Sequence, residues 1–171
     1  MAEVTPENIV WSSPYHFEQS KIVNVAYGGI VRRFEPLGED FRGQQILCDL
    51  IRAASQLVGS PTLIGVHAIQ TEAIGDGTAY PAPEGIHQDG FAYISIHLCK
   101  KKNIDGDGAV NDLYEISGER LLGEITLEKP GDSLFIDDLR LRHCVTPFRP
   151  ADQINRAYRD IFVFTYGPAL K

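Results

Sequence analysis

The spacing of apolar residues changes once along this chain. Between 39 and 58, Phe41, Ile46, Leu47, Leu50, Ile51, Ala54 and Leu57 recur at three- and four-residue steps. That spacing predicts one amphipathic helix. Glu39 and Asp40 suit its first turn and Gly59 suits its end. Ahead of it, KIVNVAYGGIVRRF (21–34) holds strand-like pieces broken at Gly28–Gly29, and residues 1–20 read as an irregular arm. After Gly59 the pattern becomes that of β-structure. TLIGVHAIQTEA (62–73) and FAYISIHLC (91–99) are rich in β-branched and aromatic residues. DLYEIS and LLGEITLE flank Ser-Gly-Glu-Arg as a hairpin, and SLFID (133–137), RHCVTPF (142–148) and YRDIFVFTYG (158–167) follow as short strands. Residues 74–85 and 100–111 read as loops. One helix and seven or so short strands predict a mainly β fold, a sandwich or barrel with a flanking helix. No composition break divides the chain, so a single domain over 1–171 is expected.

Composition narrows the partners. A formal charge of −7, with no basic cluster interleaved with aromatics, argues against nucleic acid and against an anionic membrane surface. No apolar run approaches the ~20 residues of a membrane span. The N-terminus is polar and lacks a signal-peptide core. Cys48, Cys99 and Cys144 are an odd number without a CxxC pair, which fits a reduced, cytoplasmic protein. Nothing in the sequence sets the oligomeric state, and a homodimer is compatible with it.

The candidate chemistry centres on EGIHQDG (84–90). In strand geometry residues two apart share a face, so His87 and Asp89 could reach one ion. Imidazole and carboxylate together suit Fe(II), Mn(II) or Zn(II). The third ligand is expected from a distant strand of the same sheet, and His143 is the best placed. Surface His-x-Asp pairs are also common, so spacing alone leaves both readings open. His97 follows Asp89 by eight residues, roughly 25 Å along a strand, too far to share the ion. His67 reads as a core or cavity-lining histidine and His16 as an exposed one. Arg159 opens an apolar strand, where a guanidinium needs an anionic partner. Asp160 or Asp152 could be that partner, and Arg156 is the local competitor for the role. NIDGDG (103–108) imitates the start of a calcium loop, but Tyr114 stands where the closing glutamate belongs, so it reads as a turn. Cys144 alternates away from His143. Asp137–Asp138 read as a turn, with tuning of the site as the alternative.

Taken together, PAPEGIHQDGFAYISIHL, the Asn-Ile-Asp-Gly loop, LYEI…GERLLGEITLEKPGDSLFIDD, LRHCVTPF and YRDIFVF resemble the 2-oxoglutarate/Fe(II)-dependent dioxygenases related to bacterial L-isoleucine 4-hydroxylase. The resemblance runs from about Tyr27 to Gly167. It implies a double-stranded β-helix (jelly roll, cupin-like). It implies Fe(II), 2-oxoglutarate and O₂ as cofactor and co-substrates, and hydroxylation of a free L-amino acid with release of succinate and CO₂. Residue by residue, it makes His87, Asp89 and His143 the iron ligands and gives Arg159 the distal carboxylate of 2-oxoglutarate. Glu84 and Gln88, beside the iron by adjacency, become candidate substrate contacts. Two features depart from the family: Lys100–Lys102 with Asp-Gly-Asp-Gly replace an expected arginine and Gly-Gly pair, and the lead before the helix is short. A cupin-like isomerase or lyase, and a catalytically silent binding domain on the same fold, are the competing expectations.

Overall fold

The computed structural model describes residues 1–5, 8–12, 21, 29–31, 35–59 and 62–167. Its elements are β1 (Ala2–Val4), β2 (Ile9–Trp11), α1 (Glu39–Arg42), α2 (Gln45–Val58), β3 (Thr62–Ala73), β4 (Tyr93–Lys102), β5 (Asn111–Glu115), β6 (Arg120–Ile125), β7 (Ser133–Asp137), β8 (Leu141–Val145) and β9 (Ala157–Tyr166). They form a six-stranded sheet, β2-β1-β3-β9-β4-β7, and a three-stranded sheet, β6-β5-β8. Every pairing is antiparallel.

Alternation along the strands gives the large sheet two apolar faces. The inner face carries Ile94, Ile96 and Leu98 of β4, Ile136 of β7 and Ile161 of β9, which pack with Leu113 of β5 in the core between the sheets. The outer face carries Ile64, Phe164 and Tyr166, covered by Leu47, Ile51 and Ala54 of α2. Full burial of each large apolar side chain contributes roughly 1.5–3 kcal/mol.

Three expectations are corrected. The arm expected over 1–20 contains two strands, and Ala2 and Val4 are fully buried. Three-residue strands are too short to show periodicity, and their order comes from pairing with β3. The single helix over 39–58 is two. Gly43 closes α1 by donating to the Glu39 carbonyl at 3.0 Å, and Gln44 is extended. Within α2 the buried stripe is Leu47, Ile51 and Ala54, and Ile46 and Leu57 lie outside it in solvent. The loop expected from residue 100 begins three residues later, because β4 continues past a bulge at Leu98/Lys100 along β9. The strand-like pieces read in 21–34 lie almost wholly outside the described residues, as does His16. The NIDGDG segment is a turn, closed by Gly108 N–H donating to the Asp105 carbonyl at 3.0 Å. Among the described residues, no helix is long and apolar enough to cross a membrane.

His97 belongs to the outer layer. Its ring contacts Ser95 Oγ and Ser133 Oγ, each at 2.7 Å, and stacks on Phe164. Burial pushes its pKa down to about 4. The folded state therefore resists protonation that the unfolded chain accepts near 6.5. Stability from this group is complete above pH 6.5 and is lost as pH falls from there toward 4. The thermal midpoint should drop across that window, and the slope should be shallower in His97→Gln. Equal slopes in the two proteins would show that His97 does not carry the effect.

Candidate metal centre and anion pocket

Two backbone hydrogen bonds assemble the site. His87 N–H donates to the His143 carbonyl at 3.0 Å and His143 N–H donates to the His87 carbonyl at 2.9 Å. This isolated antiparallel bridge joins the 74–90 loop to β8. The sequence expectation placed His87 and Asp89 on one strand, with the third group on the same sheet. Both points are corrected. The pair lies in the loop ahead of β4, and His143 belongs to the small sheet. Gly90, at φ +85°, turns the chain between the pair and β4, a conformation that favours glycine.

Asp138 holds that turn. It is buried in the β7–β8 connection, and its carboxylate accepts the backbone N–H groups of Asp89 (3.1 Å), Gly90 (2.7 Å) and Phe91 (3.0 Å). Burial and the neighbouring Asp89 raise its pKa to about 6, and the three N–H donors oppose that rise. Asp138 thus performs the turn role expected of it and orients the Asp89 backbone as well. The Gln88 amide donates to the Asp138 backbone carbonyl, and Gln88 is absent from the cavity lining.

The donor atoms of His87, Asp89 and His143 lie within 4.8 Å of one another. His87 Nε2 is 3.7 Å from Asp89 Oδ1, and His143 Nε2 is 3.8 Å from Asp89 Oδ2. One ion could touch all three at little more than about 2 Å. The Nδ1 of His87 sits 2.9 Å from the Gly85 carbonyl. An N–H there fixes the tautomer and leaves the Nε2 lone pair toward Asp89. Burial, then His87, pushes the His143 pKa well below the ordinary value, so its ring is neutral and able to donate a lone pair. The ring is oriented by stacking on His87, with centroids 4.3 Å apart. Its Nδ1 has no hydrogen-bond partner among the described residues. Two imidazoles and a carboxylate suit a divalent transition ion.

A cavity of about 380 Å³ opens from this cluster and runs to Arg159. Its walls include Ile69, Ile96, Val145, Ile161 and Val163. Arg159 is only 3% exposed. Burial lowers its pKa to about 10. Neither acidic partner foreseen in the sequence reaches it. Asp160 accepts from Gln70, and Asp152 accepts from the 154–155 backbone. Among the described residues no carboxylate lies within 4 Å of Arg159. Its one hydrogen bond there is to Asn111 Oδ1, at 3.5 Å. Arg156, the competitor, is exposed and paired with Glu72 at 2.7 Å. Thr71 stands directly opposite Arg159 in the β3·β9 ladder and lines the same cavity.

Glu84 also lines the cavity, with Oε1 3.7 Å from His87 Nε2. His67 is half-buried and lines a smaller cavity with Trp11 and Arg42. His97 lies outside the cluster, as its distance along β4 implied. Sequence reasoning missed Asn111 and Thr71. Asn111 carried a signal, a β-disfavoured amide opening a strand. Thr71 carried none, because its place beside Arg159 depends on strand register.

The model of the 2OG-Fe dioxygenase family matches residues 2–165. The L-isoleucine-4-hydroxylase of Bacillus thuringiensis is 24% identical over 173 residues, covering 95% of this chain and 69% of that protein. The crystal structure of a bsmA homologue from Methylobium petroleophilum PM1 superposes with a TM-score of 0.80 at 24% identity, covering 99% of this chain and 72% of the other. That of the Fe(II)/α-ketoglutarate-dependent dioxygenase TqaL superposes with a TM-score of 0.68 at 16% identity, covering 82% and 62%. The two facing antiparallel sheets are the jelly roll of these enzymes. With a family match that spans nearly its whole length, this chain belongs to the 2OG-Fe dioxygenases, enzymes that use Fe(II), 2-oxoglutarate and O₂.

Proposed function

We propose that this enzyme hydroxylates an unactivated C–H bond of a free L-amino acid. In this reading His87, Asp89 and His143 hold the iron, and Arg159 anchors the distal carboxylate of 2-oxoglutarate. One observation carries it: a single cavity is lined both by a three-donor cluster and by a buried guanidinium that, among the described residues, has no carboxylate within 4 Å. A ligand suited to both chelates a metal with one terminus and presents an anion at the other. A 2-oxo dicarboxylate has that form.

The iron, when bound, supplies oxygen activation that no side chain can. The protein's residues supply geometry and exclusion of water. His87, Asp89 and His143 would hold the ion through two ring nitrogens and a carboxylate oxygen. Arg159 offers a planar fork that takes a carboxylate in two parallel hydrogen bonds. Thr71 adds a hydroxyl beside it. Ile96, Ile161 and Val163 keep the space between the two ends dry. Glu84, on the wall next to His87, is placed to take the substrate's ammonium group. The amino-acid substrate is supported by the hydroxylase named above as a relative. The free thiols of Cys48, Cys99 and Cys144 suit a cytoplasmic setting.

His87→Ala and Asp89→Ala should each abolish 2-oxoglutarate-dependent succinate formation without loss of the fold, read by circular dichroism; wild-type turnover in either would end the assignment. Arg159→Ala should raise the KM for 2-oxoglutarate roughly a hundredfold, since charged hydrogen bonds contribute about 1.5–3 kcal/mol each. Mn(II) affinity should stay unchanged. Asp138→Ala leaves three backbone donors without their acceptor, so urea unfolding should show a loss of about 3 kcal/mol. The same variant should bind Mn(II) ten- to a hundredfold more weakly, as expected when the support of a ligand is removed. The substrate itself is tested by offering the protein amino acids one at a time. Succinate release should accompany a product one oxygen atom heavier, and release with no amino acid but with another small molecule would overturn that part of the reading.

A further inference from the structure

Arg159 is held by a neutral group where a charged one would fit. Asn111 is 1% exposed, and its backbone is paired on both sides, with Ile125 of β6 and Val145 of β8. Its Nδ2 donates to the Ile125 carbonyl at 2.7 Å, and its Oδ1 accepts from Arg159 Nη2 at 3.5 Å. The amide has one workable sense. Flipped, it would set an NH₂ against the guanidinium and an oxygen against a carbonyl, like against like at both ends. The adjacent acid does not substitute for it. Asp112 points to the other face of the strand and binds Arg120 at 2.6 Å.

We propose that Asn111 is a positioning residue that aims Arg159 into the cavity while leaving its charge unneutralised. The neutrality of the amide is the functional property. A carboxylate in the same place would pair with the guanidinium inside the protein and compete with the anion that arrives from solution. Asn111 therefore sets the preference for a co-substrate with a charged tail over one with an apolar tail. This rests on the assignment of Arg159 to the 2-oxoglutarate carboxylate.

The test uses the Mn(II)-loaded chain and two probes, 2-oxoglutarate and 2-oxopentanoate, which lacks the distal carboxylate. Affinities are read by calorimetry. Arg159→Gln comes first: if it binds 2-oxoglutarate as the wild type does, the underlying assignment fails whatever Asn111 does. With that loss in hand, Asn111→Asp should weaken 2-oxoglutarate at least thirtyfold and leave 2-oxopentanoate within about threefold, so the preference between the probes collapses. Mn(II) affinity should not fall, whereas the thermal midpoint should, because a carboxylate cannot donate to the Ile125 carbonyl. An Asn111→Asp protein that keeps the wild-type preference overturns the proposal, and so does one that loses both probes and the metal together, which is the signature of a purely structural role. Should Asn111→Asp not fold, Asn111→Ala decides the matter. It should weaken 2-oxoglutarate three- to tenfold with Mn(II) affinity unchanged, and wild-type 2-oxoglutarate affinity overturns the proposal.

Discussion

The site depends on the reciprocal pair of backbone hydrogen bonds between His87 and His143. The two residues are far apart in sequence, in a loop rich in Gly and Pro and in the edge strand of the small sheet, and a second bridge between Ala79 and Phe148 ties the same loop to the chain just after that strand. Backbone pairing is insensitive to side-chain identity, so the bridge fixes the distance between the two imidazoles without using either ring. The rings remain available for an ion. Asp138 completes the assembly from the same direction. It precedes β8 in the connection that crosses from the large sheet to the small one, and it grips the backbone of residues 89–91. One crossing thus supplies one member of the candidate metal cluster and orients the two others.

Division of labour between the sheets follows from that crossing. The small sheet and its loop provide the His87–Asp89–His143 cluster and Val145, and the large sheet provides Arg159, Thr71 and most of the apolar wall. Asn111 is the polar link across the gap, because β5 lies beside β8 and reaches Arg159 on β9. The inner core of Ile94, Ile96, Leu113, Ile136 and Ile161 holds the two halves at a fixed separation. Close packing resists small displacements, so the span between cluster and guanidinium is set by the core as much as by the residues that use it.

How much of this could be read from sequence follows the physics of each feature. β3 was legible end to end because a twelve-residue run rich in β-branched and apolar residues outweighs any local competitor. β1 and β2 were not, since three residues carry no period and owe their order to β3. The helix stripe was legible in Leu47, Leu50, Ile51 and Ala54, while the break at Gly43 and the exposure of Ile46 and Leu57 were not. At the site, His-x-Asp, the later histidine and Arg159 were legible as residue types at a recognisable spacing. Their assembly was not, because it runs through a backbone bridge and through the buried acceptors Asp138 and Asn111. Those depend on which strands neighbour one another, and nothing local in the chain encodes that.

Arg159 also shows what the fold gives up for the site. Lowering a guanidinium pKa from 12.5 to about 10 by burial corresponds to about 3 kcal/mol of unfavourable desolvation. A carboxylate at position 111 would offset much of it, and so would exposure to water. The structure has neither; it holds the charge with a neutral amide inside an apolar wall. A guanidinium in such surroundings gains more from an incoming anion than one in water, where solvent already satisfies it. On the proposed assignment, an anion brought to Arg159 would offset that desolvation, and specificity for a charged tail would follow from where the protein leaves its own charge unmatched.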